Sequence, residues 1–265
     1  FSTRLRIKHI SFIPMSGLLG DNVVERSIRM PWYQGEPLLS FLEDVHIASD
    51  WNLQDSRFPI QWVVRPQVSA YRDFRAYAGQ IASGVFRVGD RVLVLPSGRS
   101  SKIKDILLMD QSMKIAHAPM SVSLLLEDEI DVSRGDLIVP VENLPYIGKE
   151  AEAMLCWMHE TPMQPGRKYL IKHTTNLTKG VITSIHCRVN VETLEDEEAS
   201  VLGLNEIGRV SIRSATPLVY DEYYRNRRLG GFIVVDEVTS ATVGAGMLVE
   251  PTKVPPLPEY TDYAI

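Results

Sequence analysis

YRDFRAYAGQIASGVFRVGDRVLVL, residues 71–95, decides how the chain is read. Gly79 and Gly84 punctuate its first part, Gly89-Asp90 is a turn signal, and Arg91–Leu95 is a strongly apolar run that stops at Pro96. Short β-prone runs bounded by glycine and proline are strands joined by tight turns. The stretch opens out into a β-rich region from Phe58 to about Val141. Its strand candidates are Ile60–Val64, Tyr77–Val85, Arg91–Leu95, Lys102–Met109, Ser121–Leu126 and Leu137–Val139. Many short strands with turn residues between them predict a closed barrel, which hides its edges.

A second β-region follows from about Tyr146 to Val249. Its candidates are Ala151–Trp157, Lys168–His173, Thr178–Val191, Ile207–Ser214, Gly231–Asp236 and Ala241–Leu248. The acidic run Glu195–Glu198 falls in a connection between strands. Ahead of both regions, Ile7–Ile13 reads as a strand ending at Pro14, and Ser16–Asn22 as a loop. Pro37–Ile47 reads as a helix with proline in its first turn. Strand, loop and helix make the closing βα unit of an α/β domain whose remaining sheet lies elsewhere. The expected divisions are 1–50, 58–143, 146–250 and an extended proline-rich tail, 251–265.

Net charge is −5 over 265 residues, with 45% hydrophobic residues. That supports sizeable cores and disfavours a general nucleic-acid binder, which needs a concentrated basic face. Two cysteines, Cys156 and Cys187, fit no zinc spacing and read as buried free thiols of a cytoplasmic protein. No run approaches the roughly 18 apolar residues that span a bilayer, and no signal peptide is visible.

The chain contains no GxxxxGK[ST] phosphate loop and no NKxD-like base-recognition segment. The six histidines are scattered and form no catalytic or metal set. One loop stands out. Ser16, Gly17 and Leu18 follow a candidate parallel strand, at the sheet edge where such folds bind ligands. Arg65, Arg72 and Arg75 set guanidinium groups beside apolar residues. The segment DEYYRNRRL, Asp221–Leu229, joins tyrosines to Arg225 and Arg227. Tyrosine and arginine are good interface anchors, so these arginines are candidate contact residues.

Several longer motifs resemble one family. They are Phe12–Ser16, Gly20-Asp21-Asn22-Val23, Trp32–Glu43 (WYQGEPLLSFLE), Phe58–Pro66, Tyr77–Gly84, Leu95–Gly98 (LPSG) and Leu126–Gly135 (LEDEIDVSRG). Tyr169–Thr174, Asn226-Arg227, Gly230–Asp236 and Thr242–Met247 continue the series. Together they resemble the large, GTP-binding subunit of the bacterial two-subunit sulfate adenylyltransferases, relatives of elongation factor Tu. Ala76, Leu229 and Gly231 depart from that pattern.

The resemblance implies a mainly β fold. It comprises two consecutive small antiparallel β-barrels, equivalent to elongation-factor domains 2 and 3, preceded by the closing βα unit of an incomplete P-loop α/β GTPase domain. It implies a subunit that couples GTP hydrolysis, with Mg2+, to formation of adenosine 5′-phosphosulfate and pyrophosphate from ATP and sulfate. Its partner would be a smaller catalytic subunit. Ser16, Gly17 and Leu18 would border guanine, and Arg65, Arg72 and Arg75 would face the switches or the partner. Without the phosphate loop, these residues alone are expected to bind no nucleotide and to serve as scaffold. The alternative is a translation-factor-like GTPase that binds tRNA or the ribosome.

Overall fold

A computed structural model describes residues 10–45, 51–66, 74–249 and Pro251. The chain divides into two compact units, one ending at Asp50 and one starting at Trp51.

In the first unit, helix α1 spans Leu38–Asp44. Pro37 is its extended N-cap, φ −66° and ψ 162°, rather than a first-turn residue. The loop before it supplies the missing acceptors. Leu38 and Leu39 N–H donate to the carbonyls of Asn22 and Val23, both at 2.9 Å, satisfying groups that a helix start leaves open. The expected strand Ile7–Ile13 is not formed in its described part, 10–13, because no neighbouring strand pairs with it among the described residues. Its first half lies outside them, as do the last two residues of the expected helix.

The second unit begins with nine strands: β1 Phe58–Val64, β2 Ala76–Gln80, β3 Val85–Arg87, β4 Arg91–Leu95, β5 Arg99–Leu108, β6 Gln111–Met113, β7 Ile115–His117, β8 Ser121–Leu126 and β9 Leu137–Pro140. Six of them close a ring in the order β4-β9-β1-β2-β8-β5, shut by the β4–β5 ladder. All its pairings are antiparallel, and β5 also carries β6. Alternation along the strands drives closure. In β8, Val122, Leu124 and Leu126 point inward while Ser121, Ser123 and Leu125 do not. The inner set packs with Phe58, Ile60, Tyr77 and Phe86, and the two phenylalanine rings meet edge to face at 6.1 Å.

The opening stretch is less continuous than expected. The expected strand Tyr77–Val85 breaks into β2 and β3, because residues 81–84 turn their N–H groups elsewhere. Ile81 donates to Met120, Ala82 to Arg57 and Gly84 to Asn52. Gly84 makes the bend with φ +74°, and a Cβ there would stand 2.3 Å from Ser56 Cα, so only glycine fits.

The second ring is built from β10 Tyr146–Trp157, β11 Lys168–His173, β12 Asn176–Val189, β14 Ile207–Tyr220, β15 Gly231–Val235 and β16 Thr242–Leu248. A two-residue strand, β13 Asp196–Glu197, is attached to β12, and a short helix, α2 Arg227–Gly230, precedes β15. The order is β11-β15-β16-β10-β14-β12, closed by β11–β12. Its core holds Leu155, Trp157, Tyr169, Val210, Ile212 and Phe232 among others. Cys156 and Cys187 are both free and half-buried, not buried as expected. In β10 the neighbours Leu155 and Trp157 take the inward positions, which turns Cys156 outward.

A third apolar cluster joins the rings. Ala82, Leu93, Leu95, Leu137 and Val139 of the first barrel pack with Leu229 of α2, backed by Leu144, Ile147 and Val219. The two barrels therefore share a core.

Candidate functional site

The Ser16 loop is organised by Asp21 and Asn22, which are 8% and 1% exposed. Asn22 Nδ2 donates to Pro14 O at 2.7 Å, and Asn22 Oδ1 accepts from Ser27 N at 2.8 Å. Asp21 accepts from Ser27 Oγ at 2.6 Å and pairs with Arg29 at 2.8 Å. The bond from Ser27, followed by those of Arg29, holds the Asp21 carboxyl below the usual carboxylate range against a partial burial penalty. Ser16 N donates to Asp21 O at 3.2 Å, and Ser16 Oγ accepts from Leu19 N at 3.3 Å. Gly20 closes the loop at φ +71°.

The result is a stiff loop with an open tip. Leu18 is 94% exposed, and the N–H groups of Gly17 and Leu18 find no acceptor among the described residues. An apolar side chain beside two free donors can receive a flat heterocycle that carries carbonyl acceptors. Asp21 and Asn22, which hold the loop, were read from sequence as loop residues and as part of a family stretch, without that role. Polar residues after a glycine turn were the available signal.

The described candidate arginines fall in two places: Arg65 and Arg75 flank the last β1–β2 pair, Val64 with Ala76, and Arg225 and Arg227 lie at the start of α2. Arg65 is exposed at the end of β1. Arg72 lies outside the described residues. Arg75 is half-buried, and its NH1 donates to Ile130 O at 3.0 Å. Arg227 is exposed at the start of α2. Arg225 is engaged inside the chain, in a two-bond pair with Asp55 at 2.8 and 2.6 Å.

That pair belongs to a polar lock between the barrels, which sequence reasoning missed. Arg57 is 0% exposed. Its Nε and NH2 fork onto Asp221 at 2.9 and 3.0 Å. Its remaining donors reach Ser56 O, Asn143 O and Asn143 Oδ1 at 2.9–3.1 Å. All five donors of the guanidinium are used. Asn226 adds bonds to Ser83 Oγ and Asp221, and Asn143 Nδ2 donates to Asp55 at 2.7 Å. Burial alone would raise the Asp55 carboxyl. Bonds from Arg225, Asn52 and Asn143 outweigh it and hold the group well below the carboxylate range. Nearby, His173 is 2% exposed, with Nε2 2.7 Å from Leu229 O. Its burial pushes the imidazole pKa down, against that bond and the nearby Asp221 charge.

With this geometry in place, the sequence relatives become informative. Residues 150–249 match the family described as GTP-eEF1A C-terminal domain-like. The chain is 45% identical over 250 residues to sulfate adenylyltransferase subunit 1 of Alteromonas mediterranea, covering 94% of this chain and 52% of that protein. It is 48% identical over 250 residues to the bifunctional enzyme CysN/CysC of Rhodopirellula baltica, covering 94% and 38%.

Over the stretch it spans, the chain is a homologue of the sulfate adenylyltransferase subunit 1 proteins.

The chain spans about half the length or less of the curated relatives it matches. Among solved structures, Sup35 complexed with GMPPNP superposes with a TM-score of 0.69 at 17% identity, over 89% of this chain and 57% of that one. This likeness shows the elongation-factor-like fold, with its two closed barrels. These relatives do not favour the translation-factor alternative. Among the described residues no helix is long and apolar enough to cross a membrane.

Proposed function

We propose that the chain is the two-barrel portion of a sulfate adenylyltransferase GTPase subunit. In the assembled enzyme ATP and sulfate give adenosine 5′-phosphosulfate and pyrophosphate, and GTP hydrolysis is coupled to that unfavourable step. The observation that carries this reading is the 42–46% identity to proteins named sulfate adenylyltransferase subunit 1, over nearly the whole chain. Adenylyl transfer belongs to a smaller catalytic subunit, and the complex works in the cytoplasm.

Ser16, Gly17 and Leu18 border the guanine ring, with Leu18 against its face. The chain has no phosphate loop, and among the described residues no group of three or more histidine, cysteine, aspartate or glutamate side chains is placed to hold a metal. These residues do not fit a Mg2+–triphosphate group, which falls to other parts of the enzyme. Arg65, Arg72, Arg75 and Arg227 are assigned to a rim that meets the switch segments or the catalytic subunit. Arg225 contributes through its bond to Asp55. The locked barrels act as one body, so a local change on γ-phosphate loss becomes a movement at subunit scale.

The test is calorimetry on an intact GTPase subunit that carries these residues. Leu18→Asp is expected to weaken GDP binding by about tenfold, which is about 1.4 kcal/mol, with thermal unfolding unchanged. Unaltered GDP affinity overturns the assignment of the Ser16 loop. The 265-residue chain by itself is expected to take up no GDP at micromolar concentration. Binding at that level overturns the claim that the phosphate loop is indispensable.

A further inference from the structure

The outer surface of the second barrel has two unlike faces. Across β12 and β14 it is a ladder of ion pairs, with Arg188, Arg209 and Arg213 paired to Glu197, Glu206, Glu152 and Glu150. Across β10, β16, β15 and β11 it is an apolar groove of about 590 Å³. Met154, Cys156, Ile233, Ala245 and Met247 line it from outward-facing strand positions, each half-buried. Tyr223 and Lys172 stand at the groove as well. The exterior of a closed barrel is ordinarily its polar side, and an exposed apolar concavity of this kind marks a binding surface.

We propose that residues 252–265 of the same chain occupy this groove. The strand β16 itself lines it, through Ala245, Gly246 and Met247, and is the last strand of the barrel. Its end is held at the groove's Tyr223 side, where Tyr223 N donates to Leu248 O at 3.0 Å and Val249 N to Glu152 O at 3.0 Å. The chain therefore leaves the barrel beside the groove, and a segment tethered there meets it at an effective concentration of order millimolar.

Length and composition fit. Fourteen residues reach about 45 Å when extended, while four neighbouring strands are only about 14 Å across. The segment TKVPPLPEYTDYAI offers Val254, Leu257, Tyr260, Tyr263 and Ile265 for burial. Pro255, Pro256 and Pro258 remove backbone donors that a groove without free strand edges cannot satisfy. Glu259 and Asp262 supply acidic partners for Lys172, which forms no ion pair among the described residues.

Cys156 on the groove floor and Cys187 away from it provide a built-in assay. The full 265-residue chain and a chain ending at Pro251 are labelled with a maleimide, and each thiol is followed by mass spectrometry. Removing 252–265 is expected to speed labelling of Cys156 about tenfold, as for a site covered about 90% of the time, with Cys187 unchanged. A synthetic peptide of residues 252–265 should slow it again. Leu257→Asp in the full chain should reproduce the faster rate without shortening the protein. Equal Cys156 rates in all chains overturn the proposal. So does protection that fades on dilution, which would put a second copy of the chain in the groove.

Discussion

Arg57 is where the structure commits most heavily. Removing one partner of a fully buried ion pair leaves the other charge without compensation. Arg57→Ala is therefore expected to cost about 3–5 kcal/mol in urea unfolding. Arg57→Met combined with Asp221→Leu should recover much of that loss, because an apolar pair of similar volume carries no stranded charge. Arg225→Ala should cost only about 1 kcal/mol, since that side chain is half in water. The same junction has a pH signature. The folded-state pKa of His173 is lowered by burial, so the unfolded chain binds its proton first. That contribution is complete above the unfolded value of about 6.5 and is lost as pH falls below it. Asp55 is also depressed, and its contribution is lost as pH falls below about 3.9. Acid titration of the unfolding midpoint should show both steps, and His173→Gln should remove only the upper one.

At the scale of elements, glycine geometry separates two kinds of turn. Gly89 has φ +94° with nothing within 4 Å of a built Cβ, so Gly89→Ala should cost only the conformational strain, about 1–2 kcal/mol. Gly84 has φ +74° and backbone atoms of Ser56 within 2.5 Å. Gly84→Ala must move that backbone and should cost several times more, with the two variants compared in one urea series. Most strands were legible because burial imposes a period of two. Arg91–Leu95, Ser121–Leu126 and Lys168–His173 were expected with the ends they have. Strands β6 and β7 were missed: each has three residues, and Gln111-Ser112-Met113 has no alternation to read. The expected βα unit was half legible. Its helix stands on backbone bonds that Leu38 and Leu39 donate to the carbonyls of Asn22 and Val23, while residues 10–13 pair with no strand among the described residues.

Across the whole molecule, legibility fell where long-range pairing matters. Arg57 and Asp221 are 164 positions apart, and nothing local to either distinguishes a buried fork from a surface charge. The segment Asp221–Leu229 was read as offering candidate contact residues, Arg225 and Arg227, with no surface named for them to meet. In the structure, Asp221, Arg225, Asn226 and Leu229 face the first barrel, leaving Arg227 exposed. The Ser16 loop was easier to find than to explain, because its shape depends on Asp21 and Asn22, six residues or fewer downstream. A shared apolar cluster and a saturated polar network make the two barrels one cooperative unit rather than two tethered ones.

Native-state hydrogen exchange read by mass spectrometry tests that unity most directly. Peptides from β2 and β8 of the first barrel and from β12 and β14 of the second should open with the same free energy, and Arg57→Ala should lower both together. Slowest-exchanging amides that open in one barrel several kcal/mol below the other, with Arg57→Ala leaving that difference untouched, would contradict it.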